Sequence, residues 1–148
     1  MKRKHTVTKI RLEAFQNDGF MLFGVVSQEP DYKLSLALNR RMGIMLKHCE
    51  PVTVCDITGN ISSFSRFATL AILPNYVVYT LMSNRSGAVF LLKKLKNIDY
   101  LFLVNRAGCD MEPGIITLLR ETESVNAVFP VDIKTLNDKN LSYIIRQA

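Results

Sequence analysis

The segment Leu91–Asn105, LLKKLKNIDYLFLVN, decides how this chain is read. Its first half carries Lys93, Lys94 and Lys96 and no acidic residue. Its second half is apolar at every position from Tyr100 to Val104. At the two-residue period of a strand, Ile98, Tyr100, Phe102 and Val104 point one way, and Leu101 and Leu103 the other. A strand with one wet face would alternate apolar with polar residues, so this one is expected at the centre of a sheet covered on both sides. Asp99, near its start, is the single polar exception.

Working outward, Lys9–Ala14 and Phe20–Val26 alternate like strands around the turn signal Asn17-Asp18-Gly19, which predicts a hairpin. Gly24 inside the second strand marks a bulge or a close backbone approach. Residues 28–43 read as a helix. Pro30 suits its first turn, Glu29 and Asp31 complement the positive dipole end, Arg40 and Arg41 occupy the last turn, and Gly43 can adopt the left-handed cap. Leu34, Ala37, Leu38 and Met42 form the expected buried stripe, extended by Tyr32 and Leu36. Residues 44–57 form two extended pieces divided by Pro51, ending at Thr58-Gly59-Asn60. Residues 67–73 and 76–82 read as a second hairpin. Beyond the central strand, Asp110 is a plausible N-cap for a helix with Met111, Ile115, Leu118 and Leu119 on its apolar side. Residues 125–131 then return as a strand. Strand, helix and strand in that order imply a crossover unit with parallel strands. Residues 133–148 are weakly patterned. The fold class expected is α+β, a mostly antiparallel sheet with two helices packed on one face and a C-terminal strand-helix-strand crossover unit.

The chain has 148 residues, enough for one domain with a real core. Residues 1–8 are read as a basic mobile tail and 9–148 as a single α+β domain. Of the net charge of +6, half lies on Lys2, Arg3 and Lys4, leaving a mildly basic body. No window approaches the ~18 apolar residues of a membrane helix, and the basic N-terminus lacks the apolar core of a secretion signal. Three cysteines, Cys49, Cys55 and Cys109, form no zinc-ligand spacing with the two histidines, so no metal or cofactor is expected. Reduced thiols in a cytoplasmic protein fit this pattern.

Leu92-Lys93-Lys94-Leu95-Lys96-Asn97-Ile98-Asp99-Tyr100 resembles the signature of the IPExxxVDY proteins, a family of small bacterial proteins. The closing Ile98-Asp99-Tyr100 matches well and Leu92 stands for the opening Ile, while Lys93 and Lys94 replace the Pro and Glu. Asp31-Tyr32-Lys33-Leu34 with Leu38-Asn39 is similar to the family's first helix. The resemblance implies a small cytoplasmic protein and brings no catalytic residue with it.

Candidate sites are few. Cys109, ahead of a helix start and close to Arg106, is the one hint of thiol catalysis. Asp110 beside it would raise its pKa, no histidine is near in sequence, and an inert loop thiol is the preferred reading. Asp31, Asp99 and Tyr100 are assigned structural roles, with Asp99 expected to bond loop backbone and to meet Lys33, Arg40 or Arg41. Arg40, Arg41, Lys93, Lys94 and Lys96 are the candidates for binding a polyanion. No aromatic residues interleave with them as a stacking platform, so nucleic acid is not favoured. Phosphate-loop, dinucleotide, zinc-protease and nucleophile-elbow motifs are all missing. The function expected is a non-enzymatic protein-interaction module. Homodimerisation is expected because Phe64, Phe67, Tyr76, Tyr79 and Phe90 look too numerous for two helices to cover.

Overall fold

The computed structural model describes residues 19–70, 77–105 and 114–147. Within them the chain runs β1 (Phe20–Val26), α1 (Asp31–Met42), β2 (Lys47–Cys55), β3 (Ile61–Ala68), β4 (Val78–Ser83), β5 (Arg85–Ser86), β6 (Val89–Phe90), β7 (Tyr100–Asn105), α2 (Ile115–Arg120), β8 (Ala127–Val131), α3 (Ile133–Leu136) and α4 (Leu141–Gln147). Six strands form one sheet in the order β2-β3-β4-β7-β1-β8, and β5 and β6 form a separate small hairpin. The fold is α+β with an antiparallel ladder at every paired strand.

β7 lies inside the sheet between β4 and β1, as its two-sided apolar pattern requires, and Tyr100 to Val104 are all buried. β7 and β8 are both antiparallel to β1, so they run parallel to each other with β1 between them. This is the expected crossover. The hairpin predicted for residues 9–26 and the N-cap at Asp110 involve segments outside the described residues.

Two cores sandwich the sheet. On one face α1 and α2 bury Leu34, Leu38, Ile115 and Leu119 against Phe23, Val25, Phe67, Leu81, Phe102 and Val104. The other face is covered by the weakly patterned end of the chain, which forms α3 and α4, and by residues 91–98. Leu91, Leu92, Ile98, Leu136 and Ile144 pack there against Leu22, Val52, Phe64, Met82, Leu101 and Leu103. Ile98, which precedes β7, thus lies opposite Tyr100, Phe102 and Val104 and not beside them as expected. The aromatic surplus expected to drive dimerisation is therefore largely consumed within the chain. Phe64 and Phe67 are only 1% and 7% exposed, and Tyr76 lies outside the described residues.

α1 ends as predicted but begins at Asp31, with Pro30 outside the helix as its N-cap. Gly43 sits in the left-handed region (φ 66°) and its N–H donates to Asn39 O at 2.9 Å. Tyr32 and Leu36, however, are 54% and 52% exposed. At about 3.6 residues per turn they fall on the side of the helix opposite Leu34 and Leu38. Ser35 takes the place beside those leucines, its hydroxyl donating to Tyr32 O at 2.8 Å.

Pro51 does not split β2; it sits at the register shift between Cys49 and Val52 on an edge strand. The opposite edge, β8, carries Pro130. Gly24 of β1 is a close approach. A Cβ there would stand 2.8 Å from Ile98 Cδ1 and 3.0 Å from its Cγ1, so the missing side chain is what lets Ile98 settle on the sheet.

Candidate functional site

Ile98, Asp99 and Tyr100 act on one stretch of chain, the end of β1 and the β1–α1 connection. Ile98 rests on Gly24, and Asp99 N donates back to Val25 O at 3.1 Å. Asp99 Oδ2 accepts from Ser27 N at 3.0 Å, and the Tyr100 hydroxyl donates to Glu29 O at 2.5 Å. Ser27 Oγ in turn donates to Ser124 O at 2.7 Å, tying the same turn to the α2–β8 connection. Asp99 and Tyr100 thus both bond backbone of the β1–α1 connection. The cation facing Asp99 is Arg85, 3.6 Å away, in place of the expected Lys33, Arg40 or Arg41. Arg85 comes within reach because β4 leads directly into β5 beside the start of β7, where Ser83 pairs with Tyr100. Burial, followed by the carboxylates of Asp31, Asp99 and Glu29, pushes the Tyr100 phenol up to about 12. Asp31 opens α1 and accepts the Tyr32 N–H at 2.7 Å.

The polyanion candidates do not share a surface. Arg40 and Arg41 end α1 on one face of the sheet, and the Arg41 guanidinium pairs with Glu121 just beyond α2. Lys93, Lys94 and Lys96 project from the segment crossing the other face. That segment hangs from Asn84, which is wholly buried. Asn84 Nδ2 donates to Leu95 O (2.8 Å) and Ile98 O (3.0 Å), and its Oδ1 accepts from Leu92 N (2.8 Å). The C-terminal region clamps it from outside. Asn140 Nδ2 donates to Leu91 O at 2.7 Å, and Lys93 N donates to Asp138 Oδ2 at 3.1 Å.

This clamp brings Lys139 to the same place as Lys93 and Lys96. The three line a groove of about 540 Å³ whose floor includes Val54, Phe64 and Phe90, with Ile57 and Val89 exposed beside it. Among the described residues none of the three lysines has a carboxylate within ion-pair distance. The nearby Asp56 is already engaged. Its Oδ1 accepts from Thr58 N (2.9 Å), Thr58 Oγ1 (2.6 Å) and Asn60 N (2.9 Å), and these bonds, the Thr58 hydroxyl foremost, hold its carboxyl below the usual range. Arg85 lies over one face of the Phe90 ring, 5.2 Å from the centroid. Lys94 and Lys96 border a second depression, of about 500 Å³, next to Phe129 and Asp132.

Sequence reasoning found Lys93 and Lys96 but missed Lys139, Asn84 and Asn140. Lys139 belongs to a weakly patterned segment, and a buried asparagine has no periodic signature. Cys109 lies outside the described residues. Cys49 is half-buried and burial pushes its thiol up, the reverse of an activated nucleophile, while Cys55 is exposed. Among the described residues there is no group of three metal-ligating side chains, and no helix is long and apolar enough to cross a membrane. Comparison with known protein families, with curated proteins and with solved structures gives no match to this chain.

Proposed function

We propose that the protein is a small, non-enzymatic, cytoplasmic interaction module that docks an acidic segment of a partner protein in the groove between residues 93–96, the α3–α4 connection, β6 and the β2–β3 turn. The observation carrying this reading is the meeting of Lys93, Lys96 and Lys139 at one groove, where among the described residues none of the three pairs with a carboxylate and the lining Asp56 is bonded to its own turn. Unpaired like charges repel one another and favour an anionic visitor. A protein segment is preferred to nucleic acid because the groove has no run of open aromatic rings for base stacking: Phe64 is buried and Arg85 covers one face of Phe90. We also propose membership of the IPExxxVDY proteins, on the likeness at Ile98-Asp99-Tyr100 and along α1.

The test uses polyglutamate as the acidic probe and a single-stranded oligonucleotide as competitor. Polyglutamate should bind, weaken steeply as salt rises, and lose about tenfold in affinity to a K96E/K139E double variant. An oligonucleotide that binds more tightly than polyglutamate would replace this reading with the nucleic-acid one.

A second reading, homodimerisation, rests on Tyr32 and Leu36, which expose large apolar groups one turn apart on α1. Light scattering on a gel-filtration column decides it: a dimer mass that L36K halves supports it, and a concentration-independent monomer removes it.

A further inference from the structure

The lysine groove is amphipathic, and its apolar part says more about the visitor than its charge does. A ligand that was only acidic would satisfy the lysines and leave Val54, Val89 and Ile57 facing water. Ile57 is almost wholly exposed and Val89 nearly half exposed, so covering them adds hydrophobic free energy that a polyanion cannot supply. We infer that the partner segment presents one large apolar side chain flanked by carboxylates, the apolar group seated between β6 and the β2–β3 turn and the carboxylates on Lys93, Lys96 and Lys139. This rests on the anionic-partner reading above and specifies the segment's chemistry.

Two structural features favour such a two-part ligand. Residues 91–98 are fixed by the hydrogen bonds of Asn84, Asn140 and Asp138, so the backbone bearing Lys93 and Lys96 is ordered before anything binds. Asp56 keeps its negative charge on the β2–β3 turn. Acidic groups are therefore repelled from that wall and drawn toward the lysines, which gives the bound segment a direction.

The experiment compares two short peptides of identical acidic content, one with a central Phe and one with Ala there, by fluorescence anisotropy on the full chain. The Phe peptide should bind about tenfold more tightly. V89S should shrink that preference, and K96E should weaken both peptides alike. Each variant is first checked by its unfolding curve, and V89S, half exposed on a two-residue strand, is the milder change. Equal binding of the two peptides overturns the inference and leaves the anionic-partner reading standing. Failure of both peptides to bind overturns the two together, and displacement of both by the oligonucleotide does the same in favour of nucleic acid.

Discussion

At the scale of single residues, Gly24 and Tyr100 make the sharpest demands. Ile98 is branched and buried, so it cannot swing away from a Cβ placed 2.8 Å from its tip. Gly24→Ala should destabilise the fold by about 1–3 kcal/mol, as overpacking does. Adding Ile98→Val should recover part of the loss, and urea unfolding of the single and double variants measures both. Tyr100 gives a pH signature. Its phenol is raised from an ordinary 10 to about 12 by burial and the surrounding carboxylates, so the folded state holds this proton more tightly than the unfolded one. The associated stability is complete below pH 10 and is lost as pH climbs toward 12. Tyr100→Phe removes the bond to Glu29 O and should cost about 1 kcal/mol at neutral pH. Its stability should then fall less than the parent's between pH 10 and 12, and unfolding followed at both pH values checks the difference.

Among the elements, the connection from β4 to β7 is the one whose shape depends most on a single side chain. Asn84 bonds Leu92, Leu95 and Ile98 from a site without water access, and its own backbone meets Asp99 O and Leu91 N. Replacing it with Leu would leave Leu92 N and Ile98 O unsatisfied, while Leu95 O would keep the Ile98 N–H. Asn84→Leu should cost at least about 2 kcal/mol and raise amide exchange through residues 91–98 before the sheet itself opens. Elements also differed in how openly the sequence declared them. β7 was legible because five consecutive apolar residues leave no face for water, and α1 because caps, charges and stripe agree. β3 was missed over Ile61–Arg66, since Ile-Ser-Ser-Phe-Ser-Arg has weak strand preference and is held by pairing with β2. α3 and α4 are four and seven residues long, too short for periodicity to reveal; packing by Leu136 and Ile144 holds them. The groove inherits that blindness, because one of its three lysines arrives with those helices.

For the whole molecule, helices or crossing segments cover both faces of the sheet, and the basic groups are divided between those faces. Arg40 and Arg41 cannot join Lys93 and Lys96 in one contact, so charge reversal on α1 should leave polyglutamate binding within about twofold, where K96E/K139E lowers it tenfold. A titration of R40E/R41E beside the lysine variant makes the comparison.

The two edges of the sheet have a consequence for growth. Among the described strands, Pro51 at one margin and Pro130 at the other each lack the amide hydrogen that a strand ladder uses. A lattice of strands stacked molecule upon molecule would meet a gap at every junction. Among the described strands, edge-to-edge pairing is thus discouraged on both sides.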